Sequence, residues 1–170
     1  PCAFIEAYDP GAVFSSIDHQ GRYAYANQPR IARWNLARLA EALLPLMAAA
    51  DDEAAVRQAV AQVTEVIDAF PALYATALLR GQPAKLGLQR SDDVAADSAL
   101  AEDWLALLQA QQVDFTLGWR HLADAAAGDE APLRALFSDP QAPGVWLQRW
   151  RERLAAEAAD AQTCAARMRS

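Results

Sequence analysis

The sequence predicts an all-α fold, a helical bundle preceded by an irregular loop. Apolar residues recur at three- and four-residue spacing along most of the chain after Pro29, the period of a helix with one covered side. Before that point Pro1, Pro10, Gly11, Gly21 and Pro29 interrupt any helical pattern. The 170 residues, 54% hydrophobic and 22% charged, suit one domain able to bury a core without disulfide or metal staples. Residues 1–28 are therefore read as loop and residues 29–170 as the helical region.

In chain order, CAFIEAY is too brief to assign as strand or turn. The polar run SSIDHQGRYAYANQP, Ser15 to Pro29, follows. A first helix is predicted over about 29–49, with Asn27 as N-cap and Pro29 in its first turn. Ile31, Leu36, Leu39, Leu43 and Leu46 form its apolar stripe. Arg30, Arg33, Arg38 and Glu41 fall largely off that stripe, and Pro45 is placed to bend the helix. Asp51 or Asp52 caps a second helix over about 52–79, with a kink expected near Pro71. Its stripe is Val56, Val60, Val63, Ile67, Phe70, Tyr74 and Leu78. RGQPAKLGLQ, residues 80–89, reads as a connection because it holds two glycines and a proline.

Leu100, Trp104, Leu107 and Leu108 mark a third helix. Phe115, Trp119 and Leu122 mark a fourth from about Val113. Residues 125–132 read as loop, 133–139 as a short helix, 139–144 as a break, and 145–167 as one last helix. No internal repeat is present, which argues against a solenoid.

A net charge of −7 makes electrostatic binding of nucleic acid or anionic lipid an unfavourable reading. The two cysteines, Cys2 and Cys164, lie near opposite ends and lack metal-site spacing. That pattern fits a reducing compartment. No apolar run approaches the roughly 20 residues that span a bilayer, and no signal sequence opens the chain. A cytoplasmic location without membrane attachment is expected.

Candidate chemistry centres on the polar run. Asp18 and His19 are adjacent, and adjacent side chains on an extended loop diverge, so they make a poor base and orienter pair. The simpler reading has Asp18 binding loop amides or Arg22 while His19 packs. His121 lies far away in sequence, and no ligand spacing for a metal appears. Glycine-rich phosphate loops and a nucleophile elbow are absent. Trp104, Trp119, Trp146 and Trp150 read as core rather than as a ligand cage. Asn35, a polar amide near an apolar helix face, is expected to make an internal hydrogen bond that could hold the preceding loop. Arg149, Arg151 and Arg153 read as a solvated face.

The stretch DHQGRYAYANQPRIARWNLARLAEAL closely resembles a segment of the selenoprotein-O family, also called YdiU. Asp18, His19, Gln20, Gly21, Arg22 and Tyr23 match the family's Asp-His-Gln-Gly-Arg-Tyr in order. Gln28, Pro29, Trp34, Asn35, Leu36, Arg38, Leu39 and Ala40 match at the right spacing. Weaker echoes follow in VDFTLGWRHL and VWLQRWRERL. The resemblance implies the C-terminal lobe of a protein-kinase-like fold, entered through an activation-segment-like loop. It implies a parent that transfers AMP from ATP to Ser, Thr or Tyr hydroxyls of proteins, using magnesium.

In the family, PCAFIEAYDPG follows an Asp-Tyr-Gly motif whose aspartate holds the metal, and a Val-Asn-Pro segment follows the region of ARMRS. The expectation is therefore a segment of a longer protein whose ATP-gripping N-terminal lobe lies outside this chain. Such a segment is expected to be inactive alone, with no catalytic residue, metal or cofactor of its own. Asp18, His19, Arg22, Tyr23 and Asn35 would shape the loop or the protein-substrate surface. Phe14 stands where some bacterial relatives carry a redox cysteine, which leaves Cys2 as the candidate redox residue. A severed lobe exposing apolar surface would favour self-association. The competing reading is a free-standing helical scaffold or protein-interaction domain without catalysis.

Overall fold

The computed structural model of the chain describes residues 5–49, 51–89, 93–157 and 159–169. A single 3-10 turn, Tyr25–Asn27, precedes α1 (Gln28–Met47), α2 (Glu53–Lys85) and α3 (Val94–Ala110). Then come α4 (Phe115–Ala126), α5 (Ala131–Arg134), α6 (Gly144–Ala155) and α7 (Ala161–Arg169). The fold is all-α. Among the described residues the only extended pairing is one antiparallel bridge, Ala7 with Asp114. No helix among them is long and apolar enough to cross a membrane. By packing, the chain divides into two compact units, one built from Pro10–Ala77 and one from Leu78 onward with the segment ending at Asp9.

In the first unit, a loop leads into the 3-10 turn. The N–H of Tyr25 donates to the Ala12 carbonyl at 3.0 Å, and that of Ala26 to the Pro10 carbonyl at 2.9 Å. Asn27 takes the N-cap position of α1, as expected, but its side chain does not cap. It donates instead to the Gly21 carbonyl at 2.8 Å. α1 runs through Pro45. Ile31 is buried, whereas Leu36, Leu39, Leu43 and Leu46 of the same stripe are exposed. The stripe dictates which side of the helix seeks cover, not that this chain supplies it. Asp52 caps α2, its carboxylate accepting from the N–H groups of Ala54 and Ala55 at 3.1 and 2.9 Å. An ion pair between Arg33 and Asp68 links α1 to α2.

The expected end of the second helix near Leu79 is not where it stops. α2 continues to Lys85, through most of the presumed connection, and the terminator is Gly87 rather than Gly81. Gly87 has φ +80°. Its N–H reaches the Ala84 carbonyl at 3.0 Å, and the next N–H, of Leu88, reaches the Pro83 carbonyl at 2.8 Å. This is the left-handed closure that satisfies a helix's last carbonyls. A Cβ there would stand 3.2 Å from Met168 Sδ and 3.3 Å from Leu154 Cδ2. Gly87→Ala is therefore expected to lose roughly 1–2 kcal/mol for the left-handed backbone alone, read as a lower thermal midpoint.

The second unit holds the main core. Leu86, Leu88, Leu100, Trp104, Leu108, Leu122, Leu133, Leu147 and Trp150 are buried together. The tryptophans belong to it, as expected: Trp104 and Trp146 have ring centroids 4.5 Å apart, Trp146 and Trp150 5.7 Å. Trp119 packs at the edge. Buried indole N–H groups need acceptors. That of Trp146 donates to the Leu100 carbonyl and that of Trp150 to the Leu86 carbonyl, each at 2.9 Å. Trp104 Nε1 is buried without a partner among the described residues. The bridge at Ala7 ties the early segment to this unit, with Tyr8 stacked on Phe115 at 5.3 Å.

Three further expectations do not hold. The short helix begins at Ala131, not Leu133, because Pro132 suits a first turn and Arg134 closes it by reaching Glu130 and the Pro140 carbonyl. The last helix is two helices. α6 ends at Ala155, and Asp160 starts α7 by accepting from the Thr163 N–H at 2.7 Å. That bond holds the Asp160 carboxyl below its ordinary value. Finally, Arg149 and Arg151 of α6 are exposed, as read, but Arg153 is not. Arg149 pairs with Asp103, Arg151 with Glu130, and Arg153 with Asp97, which is only 3% exposed.

Candidate functional site

The polar run folds around one carboxylate. Turns at Ser15–Asp18 and Asp18–Gly21 bend the backbone back on itself. Gly21 sits at φ +64°, a conformation that glycine enters without a Cβ penalty. The bend aims two successive N–H groups at Asp18. Oδ1 accepts from Arg22 and Oδ2 from Tyr23, each at 2.8 Å. The Gln28 side chain donates to the Tyr23 carbonyl at 2.6 Å, so the start of α1 holds the far end of the loop. Asp18 thus binds loop amides, one of the roles read for it. Hydrogen bonds of this charge-assisted kind contribute about 1.5–3 kcal/mol each.

Phe14, Ser15, Ile17, Asp18, Arg22 and Tyr23 line an open cleft of about 530 Å³. Three of the candidate residues, Asp18, Arg22 and Tyr23, are thereby brought together. His19 is not among them. It is exposed rather than packed. Asn35 is exposed on α1 and makes no hydrogen bond among the described residues, so the internal bond expected of it does not form. Cys2 lies outside the described residues. Cys164 is buried, and burial pushes its thiol up, towards the less reactive form.

One contributor escaped the sequence reading. The Arg22 guanidinium lies 4.5 Å from the ring centroid of Trp34, and that of Arg38 lies 5.4 Å from the same ring. Arg22 also lies 5.6 Å from the Tyr23 ring. Stacking of this kind pre-positions a guanidinium while leaving its N–H edge open. The Trp34 and Arg38 pair, one helical turn apart, was visible in the sequence. The Arg22 contact depends on the loop's fold. Nearby, burial first and Tyr74 second push the Tyr25 hydroxyl up.

Asp18 has both oxygens engaged by backbone amides. Ser15 Oγ accepts from the Ile17 N–H at 3.4 Å. Among the described residues no group of three or more His, Cys, Asp or Glu side chains could hold a metal ion. The cleft presents one stacked guanidinium, a phenol, a hydroxyl, a carboxylate and two apolar side chains.

A family model described as Protein adenylyltransferase SelO matches residues 1–169. Proteins described as Protein nucleotidyltransferase YdiU are similar throughout. That of Chromobacterium violaceum is 54% identical over 153 residues, covering 90% of this chain and 31% of its own length. A Cereibacter sphaeroides relative is 53% identical over 160 residues, 94% of this chain and 32% of its own. One from Bradyrhizobium sp. strain BTAi1 is 51% identical over 170 residues, 99% of this chain and 33% of its own. The chain spans about a third of the relatives it matches. With the family model covering all but its last residue, the chain belongs to the SelO family.

Proposed function

We propose that this chain is the helical, substrate-facing part of a protein adenylyltransferase, one that moves AMP from ATP to Ser, Thr or Tyr hydroxyls of proteins in the cytoplasm. The observation that carries the reading is the family match over residues 1–169. The kinase-like C-terminal lobe is the architecture that accompanies it. Among the described residues no group of three or more His, Cys, Asp or Glu side chains converges, and both Asp18 oxygens accept from backbone amides. ATP and magnesium would be held by parts of the family polypeptide beyond these residues.

In this reading the Asp18 loop fixes Arg22 and Tyr23 as contacts for the protein substrate. The test uses the full-length polypeptide carrying this segment. Asp18→Ala frees the loop and Arg22→Ala removes the stacked cation. Each is expected to raise KM for the protein substrate about tenfold, equivalent to about 1.4 kcal/mol, while KM for ATP stays put. A change confined to KM for ATP would place the loop on the nucleotide side and refute the assignment.

A further inference from the structure

Leu36, Leu39, Leu43 and Leu46 step along α1 at three- and four-residue spacing. All four are exposed, Leu39 to 54% and Leu46 to 83%, and Met47 continues the row. Isolated exposed leucines are ordinary on protein surfaces, but an organised row along one helix marks a surface that is covered in use. Beside the row, Arg33 pairs with Asp68 and Arg38 with Glu41, while Arg30 at the start of the helix is exposed.

We propose that this leucine row is the seat of the rest of a SelO-family polypeptide, the portion outside the matched segment. Relatives that match 90–99% of this chain use only 31–33% of their own length in doing so. About two thirds of each remains to supply a complementary apolar face. A second copy is a poorer occupant. From Leu36 to Leu46 the row is about 15 Å long, and at a helix's width of about 10 Å it covers on the order of 150 Å², against the roughly 800 Å² per partner that a stable dimer buries. A segment of the same polypeptide needs less area, because connectivity removes most of the entropy lost on association. The inference rests on family membership and not on AMP transfer, and its test uses no nucleotide, so the two can fail separately.

Leu43→Cys is made in two settings: this chain alone, and this chain joined in native order to the remaining residues of the Chromobacterium violaceum relative. Folded monomer is selected by size and circular dichroism, then treated with a maleimide. The modified peptide is read by mass spectrometry, which separates position 43 from Cys2 and Cys164. Labelling should be fast in the chain alone and on the order of 100-fold slower in the joined polypeptide, where only a local opening exposes the thiol. Leu39→Asp with Leu43→Asp should lower the melting temperature of the joined polypeptide by several degrees and leave that of the chain alone unchanged. Equal labelling rates in the two settings would overturn the proposal. Slow labelling in the chain alone would overturn it too. Light scattering would then assign the cover to the chain itself if monomeric, or to a second copy if dimeric.

Discussion

Arg153→Met is expected to lower the stability of the chain by about 3–5 kcal/mol, a fall in melting temperature of roughly 10 °C for a protein of this length. The reason is the acid it leaves behind. Asp97, on α3, is 3% exposed. Arg153, on α6, answers it with a fork, Nε to Oδ1 at 2.8 Å and Nη2 to Oδ2 at 3.1 Å. Glu157 receives a third bond from the same guanidinium at 3.0 Å. The bond to Asp97 is the first cause holding the Arg153 pKa above its ordinary value. Without the arginine, a carboxylate is left in the core with no countercharge. The double change Asp97→Leu with Arg153→Met is expected to recover most of the loss, since apolar residues of similar volume replace such pairs at little penalty. Urea midpoints of the wild type and the two variants check this. A single change within 1 kcal/mol of wild type would mean that the pair behaves as a surface ion pair.

Trp150→Ala is expected to lose about 3–5 kcal/mol, the range for emptying a large aromatic site in a core. Trp150 is fully buried, stacks on Trp146, and donates to the Leu86 carbonyl just past α2. Trp150→Phe separates packing from bonding. It keeps much of the ring and orphans the Leu86 carbonyl, for about 1–3 kcal/mol. Equal losses for the two variants would show that volume is not what Trp150 contributes.

The helix class and most helix positions were readable because period and caps are local properties. Asp52 and the stripe of α2, and the aromatic spacing of α3, α4 and α6, all depend on near neighbours. What could not be read depends on distant partners or on backbone sign. Gly81 and Gly87 look alike in sequence, and only the reach of Leu88 back to Pro83 makes Gly87 the terminator. Arg153 resembles Arg149 and Arg151 until Asp97, 56 positions earlier, is placed beside it. The leucines of α1 formed a stripe in the sequence, yet Leu36, Leu39, Leu43 and Leu46 are exposed and Ile31 alone of that stripe is buried, so the period did not tell which side is covered. In the candidate site, Asp18 was legible as a loop organiser because its acceptors serve amides four and five residues ahead. The stacking of Arg22 on Trp34 was not, since it requires the loop to fold back along α1.

AMP transfer from α-labelled ATP with magnesium tests the proposed function most directly. The full-length SelO-family polypeptide containing this segment, and the 170-residue chain alone, are each incubated with a bystander protein. Covalent label on protein is then measured after denaturation. Label is expected with the full-length polypeptide and none with the chain alone. Label transferred by the 170 residues alone would contradict the proposal, by locating the transferring groups within this segment.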